Sequence, residues 1–247
     1  MSLQRCIPAG AAALCVGLAA PAFGQSLSID LGEGGSVTAQ LVRLVLLITV
    51  LSLAPSILVM VTSFTRIVVV LAFLRSALGL QQTPPNAVLI SLALFVTAFV
   101  MAPTLERAWQ DGLAPLVDEE IEEAEAFERA IAPFETFMLA QVREKDLELF
   151  LEISRMPVPE QVEDTPLRAL IPAFMISELR RAFEIGFLIF LPFLIIDMVV
   201  ASILMSMGMM MLPPVLISLP FKLIFFVLVD GWYLVVGSLV ESFATGP

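Results

Sequence analysis

Three ionisable side chains lie in an otherwise uncharged stretch near the C-terminus. Asp197, Lys222 and Asp230 are the only charged residues between positions 185 and 240. A charge within an apolar segment costs free energy unless a partner or water reaches it. Asp197 and Lys222 stand about twelve residues before and after the centre of one turn, so an antiparallel helical hairpin would bring them to similar depth. They could form a structural pair, or a network that sets subunit register or conducts ions.

Asp230 needs a different partner. It follows Lys222 by two helical turns, about 12 Å along one helix, which is too far for direct contact. The intramembrane charges could therefore include one group that pairs elsewhere.

The turn between these charges is rich in methionine. Five of the chain's 12 methionines fall within seven positions: Met205, Met207, Met209, Met210 and Met211. Methionine is flexible and polarisable, so a cluster can close around irregular shapes. Several copies around an axis would form a deformable apolar constriction. The alternative is a methionine-rich core turn.

Enzyme chemistry finds little support. Ser218 and Lys222 are one helical turn apart and could imitate a Ser-Lys dyad, but Pro220 lies between them. The chain has no histidine, and its two cysteines are Cys6 and Cys15. Zinc sites, haem ligation and histidine-dependent triads therefore lack ligands, and we expect neither catalysis nor a cofactor.

The composition is typical of a membrane protein. Hydrophobic residues make up 59% of the 247 residues, charged residues 15%, and the mean hydropathy is +0.96. The net charge of -11 argues against nucleic-acid binding. Residues 106–184 hold 19 acidic and 8 basic residues, so this acidic insert carries the whole net charge.

Hydropathy predicts an all-α protein with two hydrophobic hairpins. Four stretches are long enough to cross the bilayer: residues 44–65, 86–105, 185–204 and 215–236. They form one hairpin over 44–105 and a second over 185–240, with tails at 25–43 and 241–247.

Residues 1–24 resemble a cleavable secretory signal, with Arg5 before an apolar stretch and a small-residue site at 22–24. The alternative is a first transmembrane helix, which this short stretch suits poorly. A signal peptide would place the mature N-terminus and the acidic insert outside the cytoplasm. Arg66 and Arg75 would then lie toward the inner turn.

The insert also has helical periodicity. One apolar face samples Val117, Ile121 and Ala124, and a second stripe runs from Phe134 through Phe137 and Phe150 to Ile153. Thr165 and Pro166 predict an N-cap and first turn for a helix that leads into the third span.

Several motifs together resemble the FliP family of flagellar type III export-gate proteins. They are Thr-Ser-Phe-Thr-Arg-Ile at 62–67, Gln-Gln-Thr-Pro-Pro-Asn at 81–86, Arg-Glu-Lys-Asp-Leu at 143–147, Ile-Ser-Glu-Leu at 176–179, the tract 192–202, the methionine turn, Leu-Pro-Phe-Lys at 219–222 and Val-Asp-Gly-Trp at 229–232. The resemblance covers essentially residues 41–240. The related injectisome family shares this core, and the signal peptide favours the flagellar branch.

The resemblance implies a ring of five copies in the bacterial inner membrane, within the flagellar basal body. One FliR-type and four FliQ-type subunits and a FlhB-type subunit would be its partners, and unfolded flagellar proteins would pass through. It implies a gasket at Met209, Met210 and Met211 and subunit contacts at Phe137, Phe150 and Glu178. It also implies hairpins wrapped largely in protein, so four simple spans could be wrong. The acidic run 118–128 matches no motif.

Two other functions remain open on the residues alone. A secondary transporter would explain charges and broken helices, although the hairpins show no internal repeat. A purely structural scaffold would explain the insert and the assembly without any conduit.

Overall fold

The computed structural model describes residues 37–155, 159, 164–209 and 211–244, and every regular element in these ranges is a helix. The all-α prediction is confirmed. The signal-peptide prediction at 1–24 lies outside the described residues, as do 25–36 of the N-terminal tail and 245–247 of the C-terminal tail. The helices are α1 (Val37–Val61), α2 (Phe64–Ala77), α3 (Asn86–Ala108), α4 (Ala114–Val117), α5 (Glu123–Gln141), α6 (Glu144–Ile153), α7 (Leu167–Ser206), α8 (Pro214–Leu228) and α9 (Gly231–Ala244), with a π-helical turn at Trp109–Leu113.

The chain divides into two compact units, Met1–Val50 and Leu51–Pro247. In the first unit, the described residues form the start of α1, where the Thr49 hydroxyl donates to the Val45 carbonyl at 2.7 Å. The second unit holds the rest of α1 and all other helices.

The first predicted span is not one helix. α1 ends at Val61 and α2 begins at Phe64, and the Thr65 hydroxyl bonds back to the Val59 carbonyl at 3.2 Å. The residues on both sides of this break are apolar, and for this reason hydropathy predicted a single span over 44–65.

α2 packs lengthwise on α7 and forms most of the first core. Its buried residues Ile67, Val70, Leu71 and Leu74 meet Ala182 and Phe193. Arg66 lies beside Glu178, and Phe73 lies beside Phe183 and Gly186, so the two helices run in the same direction.

α3 continues through the π-helical turn and α4 as one apolar helix from Asn86 to Val117. It packs against α2, α5 and α9. At Gly112, a Cβ would lie 2.7 Å from the backbone nitrogen of Ala130, so this glycine permits the close approach of α5. The predicted span at 86–105 lies within this helix.

The predicted apolar stripe from Phe134 to Ile153 is divided between two helices of the insert, α5 and α6. The chain turns out of helical geometry at Glu122 and again at Val142 and Arg143, so α5 and α6 are separate. Val117 ends α4 with 71% of its surface exposed, and Ile121 lies in the next turn, which corrects their predicted place on the first insert helix.

A second core fills the space between the insert and α7. Met138 from α5, Val142 just after it, Leu147 and Leu151 from α6, and Leu170 and Phe174 from α7 are all buried there. Leu149 and Ile153, at the end of the predicted stripe, are exposed instead.

α7 is one helix of 40 residues that crosses the predicted boundary at 184/185 without a break. Its N-cap is Pro166 rather than Thr165, one residue later than predicted. Pro172 and Pro192 lie within it.

Two described helices are long and apolar enough to cross a membrane: Asn86–Val117 and Leu167–Ser206. α8 and α9 would make a third span together, but they are bent by 64°. The predicted single span at 215–236 is therefore broken at residues 229–230. Of the four predicted spans, the second and third lie within continuous helices in the described ranges.

The close packing of α2 on α7 depends on Gly186, because a Cβ there would lie 2.6 Å from the Phe73 ring. We expect Gly186→Ala to lower the free energy of unfolding by about 1–3 kcal/mol through overpacking. Unfolding in detergent measures this. Gly237→Ala in α9 is the matched control: no atom lies within 4 Å of its added Cβ, so it should be neutral or gain about 0.5–1 kcal/mol. Equal stability of both variants would contradict the packing.

Candidate functional site

The structure brings Asp197 and Lys222 together. The Lys222 ammonium lies 2.7 Å from one carboxylate oxygen of Asp197, and the Ser218 hydroxyl donates to the other at 2.5 Å. Lys222 is 3% exposed and Asp197 23%. Burial strengthens the attraction, and hydrogen bonds to both carboxylate oxygens satisfy the charge.

The Lys222 ammonium also donates to the Ala77 carbonyl at 3.1 Å. This oxygen belongs to the last turn of α2, whose carbonyls lack intrahelical partners. One lysine of α8 therefore joins the last turn of α2 to α7. The Ser218 hydroxyl donates to Asp197 rather than to Lys222, which is not the geometry of a Ser-Lys dyad.

Asp230 takes no part in this network. It lies in the turn between α8 and α9 with a φ of +51°, a left-handed conformation that is unusual for residues other than glycine. Its side chain is exposed and has no partner among the described residues. The bend at this position corrects the prediction that Asp230 continues the helix of Lys222.

A second buried ion pair, between Arg66 and Glu178, was missed by the sequence analysis. The Arg66 guanidinium donates to both Glu178 oxygens, from Nε at 3.0 Å and from Nη2. Arg66 is 1% exposed and Glu178 0%. This geometry is a bidentate pair, the strongest arrangement for an arginine and a carboxylate.

The remaining donors of Arg66 hold two other helices. Nη2 donates to the Gln141 side chain at 3.0 Å, and Nη1 donates to the Ser242 carbonyl at 3.2 Å. The guanidinium carbon lies 3.8 Å from the centre of the Phe243 ring. Gln141 in turn donates to the Phe243 carbonyl at 3.0 Å. Arg66 thus joins α2, α5, α7 and the last turn of α9.

This pair changes the predicted topology. Straight spans would place Arg66 at the inner end of the first span and Glu178 outside the third, about one membrane thickness apart. The structure places them in contact, because α2 folds along α7 after the break at residues 62–63. The sequence signal for this pair was Arg66, a lone arginine at the edge of an apolar stretch, but the sequence analysis used it only to predict topology.

A third polar cluster lies next to Glu178. Arg143 pairs with Asp146 at 2.7 Å, and the Ser177 hydroxyl donates to Asp146 at 2.6 Å. The Arg143 backbone N–H donates to the Ser177 hydroxyl at 3.1 Å. These bonds fasten the start of α6 to α7.

The methionine turn begins with a defined helix end. Gly208 has a φ of +75°, the Met209 N–H bonds to the Leu204 carbonyl, and the Gly208 N–H bonds to the Met205 carbonyl. This is a Schellman motif, which ends α7 at Ser206 and fixes the direction of the turn. Pro213 and Pro214 then begin α8.

The described methionines of this turn lie on the surface of the single chain. Met205, Met207, Met209 and Met211 are 57%, 65%, 40% and 98% exposed. Met210 lies outside the described residues. The alternative of a core turn therefore does not hold within this chain for the four that are described.

The three predicted subunit contacts differ in their exposure. Phe137 is half-buried and packs against Phe174 and Phe243, with ring centroids 5.9 and 6.2 Å away. Phe150 is half-buried at the edge of the second core. Glu178 has no exposed side chain to offer a neighbour, because it is buried against Arg66.

No group of three or more histidine, cysteine, aspartate or glutamate side chains that could hold a metal occurs among the described residues. Among the described residues, the site consists of two ion pairs and an exposed methionine turn.

Residues 47–239 match the FliP family. The chain belongs to the FliP family. Relatives named flagellar biosynthetic protein FliP extend the match: the protein from Caulobacter vibrioides is 64% identical over 96% of this chain and 89% of its own length. That from Rhizobium meliloti is 59% identical over 85% and 86%, and that from Bacillus subtilis is 59% identical over 82% and 91%. The resemblance predicted from the motifs is confirmed.

The Asp197–Lys222 pair is testable by a double-mutant cycle. Asp197→Ala and Lys222→Ala should each lower the free energy of unfolding by about 3–5 kcal/mol, because each leaves a buried charge unpaired. The exchanged pair, Asp197→Lys with Lys222→Asp, should recover only part, since the Ala77 carbonyl would then face a carboxylate. Additive losses without coupling, measured in detergent, would count against the pair.

Proposed function

We propose that this subunit of the flagellar export apparatus forms, in several copies around one axis, the conduit by which unfolded flagellar proteins cross the inner membrane. The methionine turn closes the conduit at rest. The observation that carries the proposal is the exposure of Met205, Met207, Met209 and Met211 on a turn whose ends are held.

The turn is exposed, and hydrogen bonds hold both of its ends. α7 ends in the Schellman motif on one side, and Ser218 on α8 bonds to Asp197 on the other. Asp197 lies ten residues before Met207, about 15 Å along the helix. The Asp197–Lys222 pair therefore holds together the two helices that flank the flexible, apolar methionine turn.

Exposed methionines of this kind need a cover. Contiguous apolar surface on a single chain marks a contact with another molecule. Thioethers from neighbouring copies can pack together, exclude water and repack around a passing chain, because methionine has three flexible bonds.

Assembly follows from the same proposal. A ring of five copies, with FliR-type, FliQ-type and FlhB-type neighbours, is the arrangement that family membership suggests. Phe137 and Phe150 are half-buried and would contribute to subunit contacts. Glu178 would act indirectly, by holding α5 and α9 in position through Arg66.

Orientation is also part of the proposal. The insert, residues 106–184, would lie on the periplasmic side, and the methionine turn would lie at the opposite end of α7. A cysteine introduced at Glu123, the first residue of α5, should react with a membrane-impermeant thiol reagent in intact spheroplasts. Labelling only after lysis would contradict this orientation.

The gasket role is tested by resting ion leakage. Replacing Met209, Met210 and Met211 with glycine should raise the ion conductance of the reconstituted closed complex before export fails, because the apolar seal is lost. Leucine at the three positions is the matched control: it should seal comparably but slow export, since it is apolar and less flexible.

Assembly of each variant is checked by native mass spectrometry. A glycine variant that assembles normally and leaks no more than the unmodified complex would show that the methionines are packing residues. A scaffold without a conduit would also leak no more than the unmodified complex. Increased leakage of the glycine variant therefore distinguishes a gated conduit from a scaffold.

A further inference from the structure

Asp230 stands in an apolar surface that the chain leaves uncovered. Val227 and Leu228 before it and Tyr233 after it expose 76%, 79% and 75% of their surface. The Asp230 side chain is itself exposed, and none of the described residues bonds to it. One carboxylate is therefore surrounded by side chains that favour an apolar contact.

The packing of α8 and α9 on α7 places this carboxylate within the apolar layer. The two residues that flank Asp230 line one apolar cavity together with Ile189 and Phe193 of α7. Those α7 residues lie near the middle of residues 185–204, a stretch in which Asp197 is the only charged residue. Asp230 is therefore level with the interior of the apolar layer rather than with its edge.

The backbone is broken at the same position. α8 ends at Leu228 and α9 begins at Gly231, and the two helices are bent by 64°. The last carbonyls of one helix and the first N–H groups of the next lack partners within their own helices. Hydrocarbon satisfies neither a charge nor a broken helix, so both are tolerated only against protein or water.

The chain's own cations in its apolar stretches are already engaged. These cations are Arg66, Arg75 and Lys222. Arg66 and Lys222 are bonded within the chain, with 1% and 3% side-chain exposure, and Arg75 donates to the Asn86 side chain at 2.6 Å. These described side chains of a second copy therefore leave no cation free for Asp230, so a different protein has to supply it.

We propose that Asp230 forms an ion pair with a lysine or arginine on an apolar helix of a different subunit, which covers the bend between α8 and α9. The proposal rests on the proposed function, because it requires an assembly of several subunits. An opposite charge satisfies the carboxylate where water is excluded. Water alone would satisfy Asp230 but would leave its three apolar neighbours solvated. A partner with an apolar face and one cation fits the whole surface.

Photo-cross-linking identifies the partner. A benzophenone amino acid replaces Tyr233, an exposed aromatic residue of α9 next to the bend, and the complete apparatus is irradiated before extraction. Mass spectrometry then locates the linked residue. We expect a helix of a different protein that carries a lysine or arginine within two turns of the link, in an otherwise uncharged stretch.

Removing the charge tests the bond itself. Asp230→Asn keeps the size of the side chain and tolerates the left-handed φ, so the unfolding midpoint in detergent should not fall. The linked protein should bind about thirtyfold more weakly or worse, because its buried cation loses its partner. Asparagine has the shape of a neutral carboxylic acid, so unchanged binding would show that no ion pair forms.

Charge reversal tests which cation is paired. Asp230→Lys should release the linked protein, and aspartate in place of the partner's cation should restore part of the binding. Glu128→Gln is the matched control: Glu128 is exposed on α5 in the acidic insert, where water solvates it, so its neutralisation should leave the binding unchanged.

Four results would overturn the inference. They are a link to a second copy of this chain, a link to lipid or to no protein, a linked helix without a nearby cation, and equal binding of the partner by Asp230→Asn. Each can arise in an intact assembly and would leave the proposed function standing. A complex that native mass spectrometry shows to contain only one chain would instead overturn the proposed function.

Discussion

The buried pair of Arg66 and Glu178 is the interaction on which the rest of the fold depends. Two charges without solvent exposure are tolerable only when their donors and acceptors are satisfied. Arg66 meets this requirement by bonding to Gln141 and Ser242 as well as Glu178. Because its donors are satisfied by three other helices, the Arg66 guanidinium holds α2, α5, α7 and α9 together.

The second ion pair repeats this logic at the other end of the packed helices. Glu178 and Asp197 are 19 residues apart on α7, about 28 Å along the helix, which is close to the thickness of the hydrocarbon layer. Between them, α2 lies on α7 with apolar side chains and the contact at Gly186. An ion pair therefore fixes each end of the contact between α2 and α7, and the methionine turn lies beyond the Asp197–Lys222 pair.

The sequence predicted the helical class, the family and the approach of Asp197 to Lys222, because each depends on composition, motifs or spacing along neighbouring helices. It did not predict the pairing of Arg66 with Glu178. Those residues are 112 positions apart, and their contact requires α2 to fold along α7 after a break at Ser63 that hydropathy cannot detect. The bend at Asp230 was missed for the same reason, since apolar residues continue on both sides.

The central claim is that the Arg66–Glu178 pair holds α2, α5, α7 and α9 together, and the free energy of unfolding of a Met-substitution cycle in detergent tests it most directly. Arg66→Met and Glu178→Met should each cost about 3–5 kcal/mol, and the double variant should recover much of that loss. The exposed pair Arg180–Glu184, at 54% and 48% side-chain exposure, is the control and should contribute at most about 1 kcal/mol. Losses at Arg66 and Glu178 that are additive, or no larger than those of the exposed pair, would contradict the account.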